Sequence, residues 1–190
     1  MSNKVQMFRR DMLSVFRKFD GWMADHVRDF NVACASGCSM CCHHDVDASG
    51  GEMAIIMDAV VQWPKAEQDA LLERAQAVMA KRAALPNAEP MTRFAAKIAC
   101  PLLKDGKCSV YDVRPFMCRG YVSRSKPICD ESFRTGTAAE NAISALQKAA
   151  EQSLALGSQT GPLHELSTWL VIGLNDDGMK RDLLRAKRSA

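Results

Sequence analysis

Eight cysteines dominate the chemistry that this sequence could perform. They fall into two sets of four, one in each of two loop regions: Cys34, Cys38, Cys41 and Cys42, then Cys100, Cys108, Cys118 and Cys129. Four thiolates suit a tetrahedral zinc ion or a 4Fe-4S cluster, because both centres are thiophilic. The Cys38-x-x-Cys41 spacing lets two sulfurs reach one metal, and His43 or His44 could replace a sulfur. The pattern therefore predicts a zinc or iron centre with all eight cysteines as candidate ligands.

The alternative of a disulfide framework is not favoured. The stretch from Met1 to Lys18 carries charges where a signal peptide would need apolar residues, so the chain is expected to be soluble and cytoplasmic. Disulfides are rare in that compartment, and clustered thiols there more often bind metal or act in redox chemistry. Cys41 and Cys42 are also neighbours, with alpha carbons about 3.8 Å apart, which is too close for an ordinary disulfide.

The sequence leaves open which cysteines share a centre. In a regular hairpin Cys108 would face Leu103 and lie on the opposite side from Cys100, because side chains alternate along a strand. Cys41 and Cys42 likewise point apart in an extended segment. Either two four-thiolate sites exist, or one exists and the remaining cysteines are structural or redox-active.

Charged groups near the second loop are expected to favour thiolates. Cys118 lies within the first turn of a short helix after Pro115, where the helix N-terminus would lower its pKa. Arg114 and Arg119 flank that turn. Because a zinc ion bound by four thiolates has a formal charge of −2, both guanidinium groups could offset it, and ordinary surface pairing is the alternative.

The first half of the chain reads as three helices around one irregular loop. Apolar residues at three- and four-residue steps predict a first helix from Val5 to Phe30. The region from Ala33 to Gly51 lacks periodicity and holds the first cysteines. A second helix begins near Glu52 and stops at Pro64, and a third runs roughly from Ala66 to Ala84.

The second half combines a hairpin with further helices. Asp105-Gly106 predicts a type I′ turn, and Arg114-Pro115 predicts a helical turn over Phe116 to Gly120. A capping box at Thr137 opens a helix to Gly157, Pro162 starts another that reaches Leu174, and Met179 to Ala190 forms a basic helical tail. We therefore expect a mainly α single domain over residues 1–190 with a small β-hairpin. Its metal-binding core would span about 34–129, with two cysteine-bearing loops joined by a metal centre.

The ordered motifs resemble a known family. They read Cys34-x3-Cys38-x2-Cys41-Cys42, Cys100-Pro-Leu-Leu, Cys108-Ser-Val-Tyr111 and Arg114-Pro115-x-x-Cys118-Arg119. This combination, over about 34–121, resembles the YkgJ-type cysteine-cluster family of zinc- or iron-chelating domains. The resemblance implies a metal-binding set framed by Arg114, Pro115 and Arg119: Cys38, Cys41, Cys42, Cys100, Cys108 and Cys118. Cys34 matches the spacing less well, since the family's first interval is often one residue shorter, and Cys129 lies beyond the matched part.

Three functions are consistent with this pattern. The first is a metal-binding module with a structural, metal-handling or redox role, whose partners are the metal ion and a protein that its surface would contact. The second is an iron-sulfur enzyme, since flagellin lysine methylases contain a related cysteine cluster; the third is a metal-free thiol-disulfide switch. A net charge of +3 gives no reason to expect nucleic-acid or membrane binding. Neither a P-loop nor a hydrolase triad occurs, so an independent enzyme is not favoured.

Overall fold

The computed structural model describes residues 3–26, 28–29, 31–35, 37–86, 89–137 and 163–178. These residues form a mainly helical structure with two small antiparallel strand pairs. The helices are α1 Asn3–His26, α2 Gly50–Val60, α3 Lys65–Ala83, α4 Pro90–Ala95, α5 Phe116–Gly120, α6 Lys126–Thr135 and α7 Leu166–Asn175. The strands are β1 Asp47–Ser49, β2 Leu103–Lys104, β3 Lys107–Cys108 and β4 Leu163–Glu165, and short 3-10 turns cover Met40–His43 and Tyr111–Val113. Among these helices none is long and apolar enough to cross a membrane.

The three helices predicted for the first half of the chain are confirmed. The first begins at Asn3 and ends at His26, a few residues before the predicted end. The second begins after Ser49, whose side chain accepts a hydrogen bond from the backbone N–H of Glu52 while the Glu52 carboxylate accepts one from the backbone of Ser49. This reciprocal capping satisfies backbone donors that a helix start leaves unpaired, which fixes the beginning of α2.

The predicted hairpin and the short helical turn after it are also confirmed. Asp105 and Gly106 both have positive φ angles, 51° and 74°, which is the backbone of a type I′ turn. Leu103 pairs with Cys108 across the hairpin, in the register that the sequence predicted. Helix α5 covers Phe116–Gly120 and carries Cys118.

Other elements differ from the sequence expectations. The first cysteine region contains a 3-10 turn and strand β1, and helices α4 and α6 were not predicted. Helix α6 does carry start and stop signals, since Ser125 caps it and Gly136 ends it in the left-handed conformation. The helix predicted from Pro162 begins at Leu166, after strand β4. The predictions from Ala138 to Gly157 and from Met179 to Ala190 lie outside the described residues.

Two apolar clusters form the core of the described residues, and each includes residues from the second cysteine region. The larger cluster is formed mainly by α2, α3 and α7, and Cys100 and Cys108 pack against it. In the smaller cluster Phe16 of α1 contacts Phe116 edge to face, with ring centroids 4.7 Å apart. Strand β4 pairs with β1, placing Glu165 opposite Asp47. Elements from both ends of the chain therefore hold the loops in place.

Substituting Gly136 by alanine is expected to destabilise the protein by about 2–4 kcal/mol. Gly136 has a φ angle of 73°, and a Cβ there would lie 2.7 Å from the Cβ of Ala95 in the segment with α4. Urea unfolding would measure the loss. Gly21→Ala is the matched control, because a Cβ at this helical position has no neighbour within 4 Å, and it should stabilise by about 0.5–1 kcal/mol. Equal stability of the two variants would contradict the close contact between α4 and α6.

Candidate metal centre

A partly open cavity gathers cysteines from both loop regions. Three of its cysteines come from the first loop, and the fourth, Cys129, comes from helix α6. The full lining is Cys34, Cys38, Met40, Cys41, His44, Phe94, Tyr121, Ser123, Cys129 and Ser132. The sequence placed Cys129 in the second set of four, and the fold brings it beside the first set. Four thiol-bearing residues therefore share one cavity.

Two hydrogen bonds tie Ala33 and Cys34 to Ser123, which also lines the cavity. Ala33 N–H donates to the carbonyl of Ser123 at 2.8 Å, and Ser123 N–H donates to Cys34 Sγ at 3.3 Å. Gly37 has a φ angle of 87°, which permits the turn that leads into Cys38. Cys34 is exposed. Ala33 and Cys34 are thus held against Ser123, which lies just before α6.

An aromatic wall built on His44 closes another side of the cavity. The His44 ring stacks on Phe94 with centroids 4.0 Å apart, and its Nε2 lies 3.1 Å from the hydroxyl of Tyr121. Burial lowers the pKa of His44, so the imidazole is held neutral. Burial, and next the nearby Cys41, raise the pKa of Tyr121, so the phenol keeps its proton. Tyr121 follows Cys118 by three residues, and no periodic signal in the sequence marked it as part of the site.

The other possible imidazole ligand, His43, is oriented by backbone carbonyls. Its Nδ1 lies 3.2 Å from the carbonyl oxygens of both Ser39 and Met40. Since a carbonyl oxygen can only accept, Nδ1 carries a proton. The His43 ring lies 4.7 Å from that of Phe133, on α6, and His43 does not line the cavity. Of the two histidines, the structure places His44 beside the four cysteines.

A second group of cysteines does not line the cavity: Cys100, Cys108 and Cys118. Cys100 and Cys108 pack against the larger apolar cluster. Cys100 N–H donates to the carbonyl of Cys42 at 2.8 Å, and Leu103 N–H donates to the carbonyl of Cys100 at 2.9 Å. Burial raises the pKa of Cys100 to about 12. Burial also raises the pKa of Cys118, with further contributions from Cys100 and Cys108. These thiols are close enough to disfavour each other's ionisation, and a cation would be needed to hold them as thiolates.

The prediction that a helix N-terminus lowers the pKa of Cys118 is wrong. The pKa of Cys118 is raised well above its usual value, chiefly because the thiol is buried. In addition, the backbone N–H of Phe116 at the start of α5 donates to the carboxylate of Glu52 at 2.8 Å. Glu52 is fully buried, and its side-chain oxygen already accepts from a backbone donor at the helix start. A thiol-disulfide switch that depends on an activated Cys118 loses its main support.

The two arginines beside the second loop have different roles. Burial is the main cause of the raised pKa of Cys108 and Cys118, and the hydrogen bond with Cys42 is the main cause at Cys41; Arg114, a nearby cation, offsets part of each rise. Arg119 is 1% exposed and forms an ion pair with Asp20 of α1. Its guanidinium also lies 4.2 Å from the ring centroid of Phe16 in α1. Arg119 therefore joins α5 to α1, and the predicted offset of thiolate charge is supported for Arg114.

An ionic network centred on the largely buried Arg82 fixes the end of the first loop. Asp45 Oδ1 lies 2.8 Å from Arg82 Nε, and Asp45 Oδ2 lies 2.5 Å from Arg93 Nη1. Arg82, with 8% of its side chain exposed, also pairs with Glu165 of β4. One carboxylate that follows directly after His44 is thus attached to α3 and α4, and through Arg82 to the strand that precedes α7.

The donor set fits a thiophilic metal, although the side chains are not arranged around one. None of the eight cysteines, all within described segments, forms a disulfide. Among the described residues, no three Cys, His, Asp or Glu side chains converge closely enough to hold an ion as they stand. A thiol changes position by rotating about one bond between staggered rotamers, so backbone rearrangement is not the first requirement. The clustering of thiols agrees with sulfur ligation of zinc or iron.

Comparison with known proteins gives one match. The CxxCxxCC family model, described as "Putative zinc- or iron-chelating domain", matches residues 33–144, more than half of the chain. That span contains all eight cysteines and the cavity lining. No curated protein and no solved structure matches the chain.

Proposed function

We infer that this chain, which belongs to the CxxCxxCC family of putative zinc- or iron-chelating domains, holds a metal centre in the cavity between its two cysteine-bearing loops. The ligands in this proposal are Cys34, Cys38, Cys41 and Cys129. The observation that carries it is that one cavity gathers these four cysteines from segments more than 85 residues apart. Bound zinc or iron would supply the positive charge that lets these thiols remain ionised.

The surroundings of the cavity indicate what the centre would do. Structural zinc sites are closed by four protein ligands, whereas sites that exchange or transform ligands keep an open side. Here Cys34 is exposed, and the stacked pair of His44 and Phe94 forms another part of the cavity lining. This arrangement favours a metal-handling or redox role over a purely structural one. When His44 Nε2 donates to the Tyr121 hydroxyl oxygen, the single phenol proton of Tyr121 is available to a thiolate in the same cavity and would stabilise its negative charge.

The binding step is expected to release protons. Burial raises the pKa of Cys34 and Cys38, so the metal-free thiols carry protons at neutral pH. Each must lose its proton to bind the metal, so apparent affinity should increase as the pH rises. At Cys38 burial is the main cause of the raised pKa, and the positive charge of Lys126 offsets a small part of it.

Metal and sulfide quantitation on protein purified without oxygen tests this proposal. A zinc centre predicts stoichiometric zinc and a colourless sample, whereas a 4Fe-4S cluster predicts a brown sample with iron and labile sulfide. The double variant Cys38→Ser/Cys41→Ser should lose this metal. Gly21→Ala, which changes an exposed position of α1, is the control and should retain it. Failure of the reduced wild-type protein to bind added Zn²⁺ or Fe²⁺ would overturn the proposal.

A further inference from the structure

We propose that helix α6 is a lid over the thiol-lined cavity, latched to the α4 segment by Phe133 and Lys97, and that an ion enters or leaves when this lid opens. The helix brings Cys129 and Ser132 to the cavity lining, and the remainder of the lining comes from segments outside α6. The motion follows from the packing of the helix, whereas its role in ion exchange rests on the proposed function.

Helix α6 lies outside the apolar core. Of the two apolar clusters that the described residues form, neither includes a residue of α6. Ser132 is the one buried residue of this helix, whereas eight of the eleven residues of α2 are buried. Ile128, an apolar residue of α6, is 45% exposed. Because segments with few buried apolar contacts open at low free-energy cost, α6 is expected to separate from the fold before α2 does.

The ion pairs of α6 close within the helix itself. Lys126 pairs with Asp130, and Arg134 pairs with Glu131. All four side chains are at least 49% exposed. Pairs of residues three or four positions apart stabilise the helix that carries them. They add nothing to its attachment to neighbouring elements, so α6 is suited to move as one rigid unit.

A phenylalanine and a lysine connect α6 to the α4 segment and form the latch. The Phe133 ring centroid lies 6.2 Å from that of Phe94 in α4 and 4.7 Å from that of His43 in the first loop. Lys97, just after α4, donates to the carbonyl of Arg134 at 3.3 Å. Its ammonium nitrogen also lies 5.2 Å from the centroid of the Phe133 ring. Lys97 is exposed, so its contacts can break without uncovering the core.

The latch and the pivot of the lid lie at opposite ends of α6. Before the helix, the carbonyl of Ser123 accepts a hydrogen bond from Ala33 N–H at 2.8 Å, which fixes the chain at the pivot. Toward the other end, Phe133 and Gly136 both meet residues of α4. Cys129 lies between the two ends. A swing of the helix about its N-terminal end would therefore carry the Cys129 thiol away from the first loop and open the cavity.

Hydrogen exchange of the reduced, metal-free, full-length protein tests the motion. Backbone amides of α6 should exchange roughly tenfold faster than those of α2, or faster still. Lys97→Met removes the latch hydrogen bond and the ammonium over the ring, so it should accelerate exchange in α6 roughly three- to tenfold and leave α2 unchanged. Lys81→Met changes an exposed lysine of α3 and is the matched control, which should leave both helices unchanged.

Transfer of bound Zn²⁺ to a chelator tests the role of the lid. At unchanged Zn²⁺ content, Lys97→Met should release the ion roughly three- to tenfold faster than wild type, and Lys81→Met should match wild type. Equal transfer rates in all three proteins would refute gating by α6.

The two measurements separate failure of the lid from failure of the proposed function. Amides of α6 that exchange as slowly as those of α2 would refute the lid, and unchanged α6 exchange in Lys97→Met would refute the latch. A wild-type protein that binds neither Zn²⁺ nor Fe²⁺ would instead refute the proposed function. In that case the exchange of the metal-free protein still decides whether α6 opens.

Discussion

Removal of the bound metal under reducing conditions is expected to lower the melting temperature by roughly 8–16 °C. A ligand present at 1,000 times its dissociation constant stabilises the folded state by about 4 kcal/mol, and each kcal/mol shifts the melting temperature of a chain of this size by about 2–4 °C. The loss should be concentrated in the cysteine-bearing loops, since the buried members of the apolar cluster of α2, α3 and α7 include no cysteine.

Differential scanning calorimetry with and without a chelator measures this shift. The variant Cys38→Ser/Cys41→Ser should show a smaller shift, because the proposed site in the cavity is already lost. Far-ultraviolet circular dichroism should report that much of the helical signal persists below the transition. An unchanged melting temperature after complete metal removal would contradict a stabilising role of the centre.

Replacement of Arg82 by methionine is expected to cost about 3–5 kcal/mol of stability. The substitution keeps an unbranched side chain but removes the buried charge that Asp45 and Glu165 share. The partly buried carboxylates of Asp45 and Glu165 would then lose the positive charge of the arginine that pairs with both. Because only His43 and His44 separate Asp45 from the cysteine cluster, the loop should also lose part of its fixed position.

Urea unfolding compares this variant with Lys65→Met. Lys65 pairs with Asp69 on the exposed face of α3, and both side chains are at least half exposed. Breaking such a surface pair should cost less than about 1 kcal/mol. Similar losses of unfolding free energy in the two variants would show that the network around Arg82 stabilises the fold no more than a surface ion pair does.

The sequence predicted the elements that local signals specify. The Asp105-Gly106 turn and the helical start after Pro115 each depend on a few neighbouring residues, and both appear as expected. Strand β4 was missed because a three-residue strand has no periodicity of its own and forms by pairing with β1, over 110 residues earlier. Helix α6 was missed although Ser125 and Gly136 mark its ends.

The grouping of the cysteines could not be predicted for a related reason. Their order along the chain suggests two local sets, but Cys129 reaches the cavity only through the placement of α6 against α4. The prediction of a lowered pKa for Cys118 is wrong because it considered the helix N-terminus without burial. Burial is the largest effect on this thiol, and it raises the pKa. Neither the position of Tyr121 nor the contact of Arg119 with Asp20 has a local signal, since both depend on tertiary packing.

The pairing of β1 with β4 has a consequence for the order of events during synthesis. Helix α7, which follows β4 and completes the larger apolar cluster, ends about 46 residues after Cys129. At translation rates of about 5–20 residues per second, roughly 2–9 s separate the last cysteine from the last residue of α7. All eight thiols therefore exist before the core can close around them. Every cysteine is thus synthesised before the last helix of the larger apolar cluster.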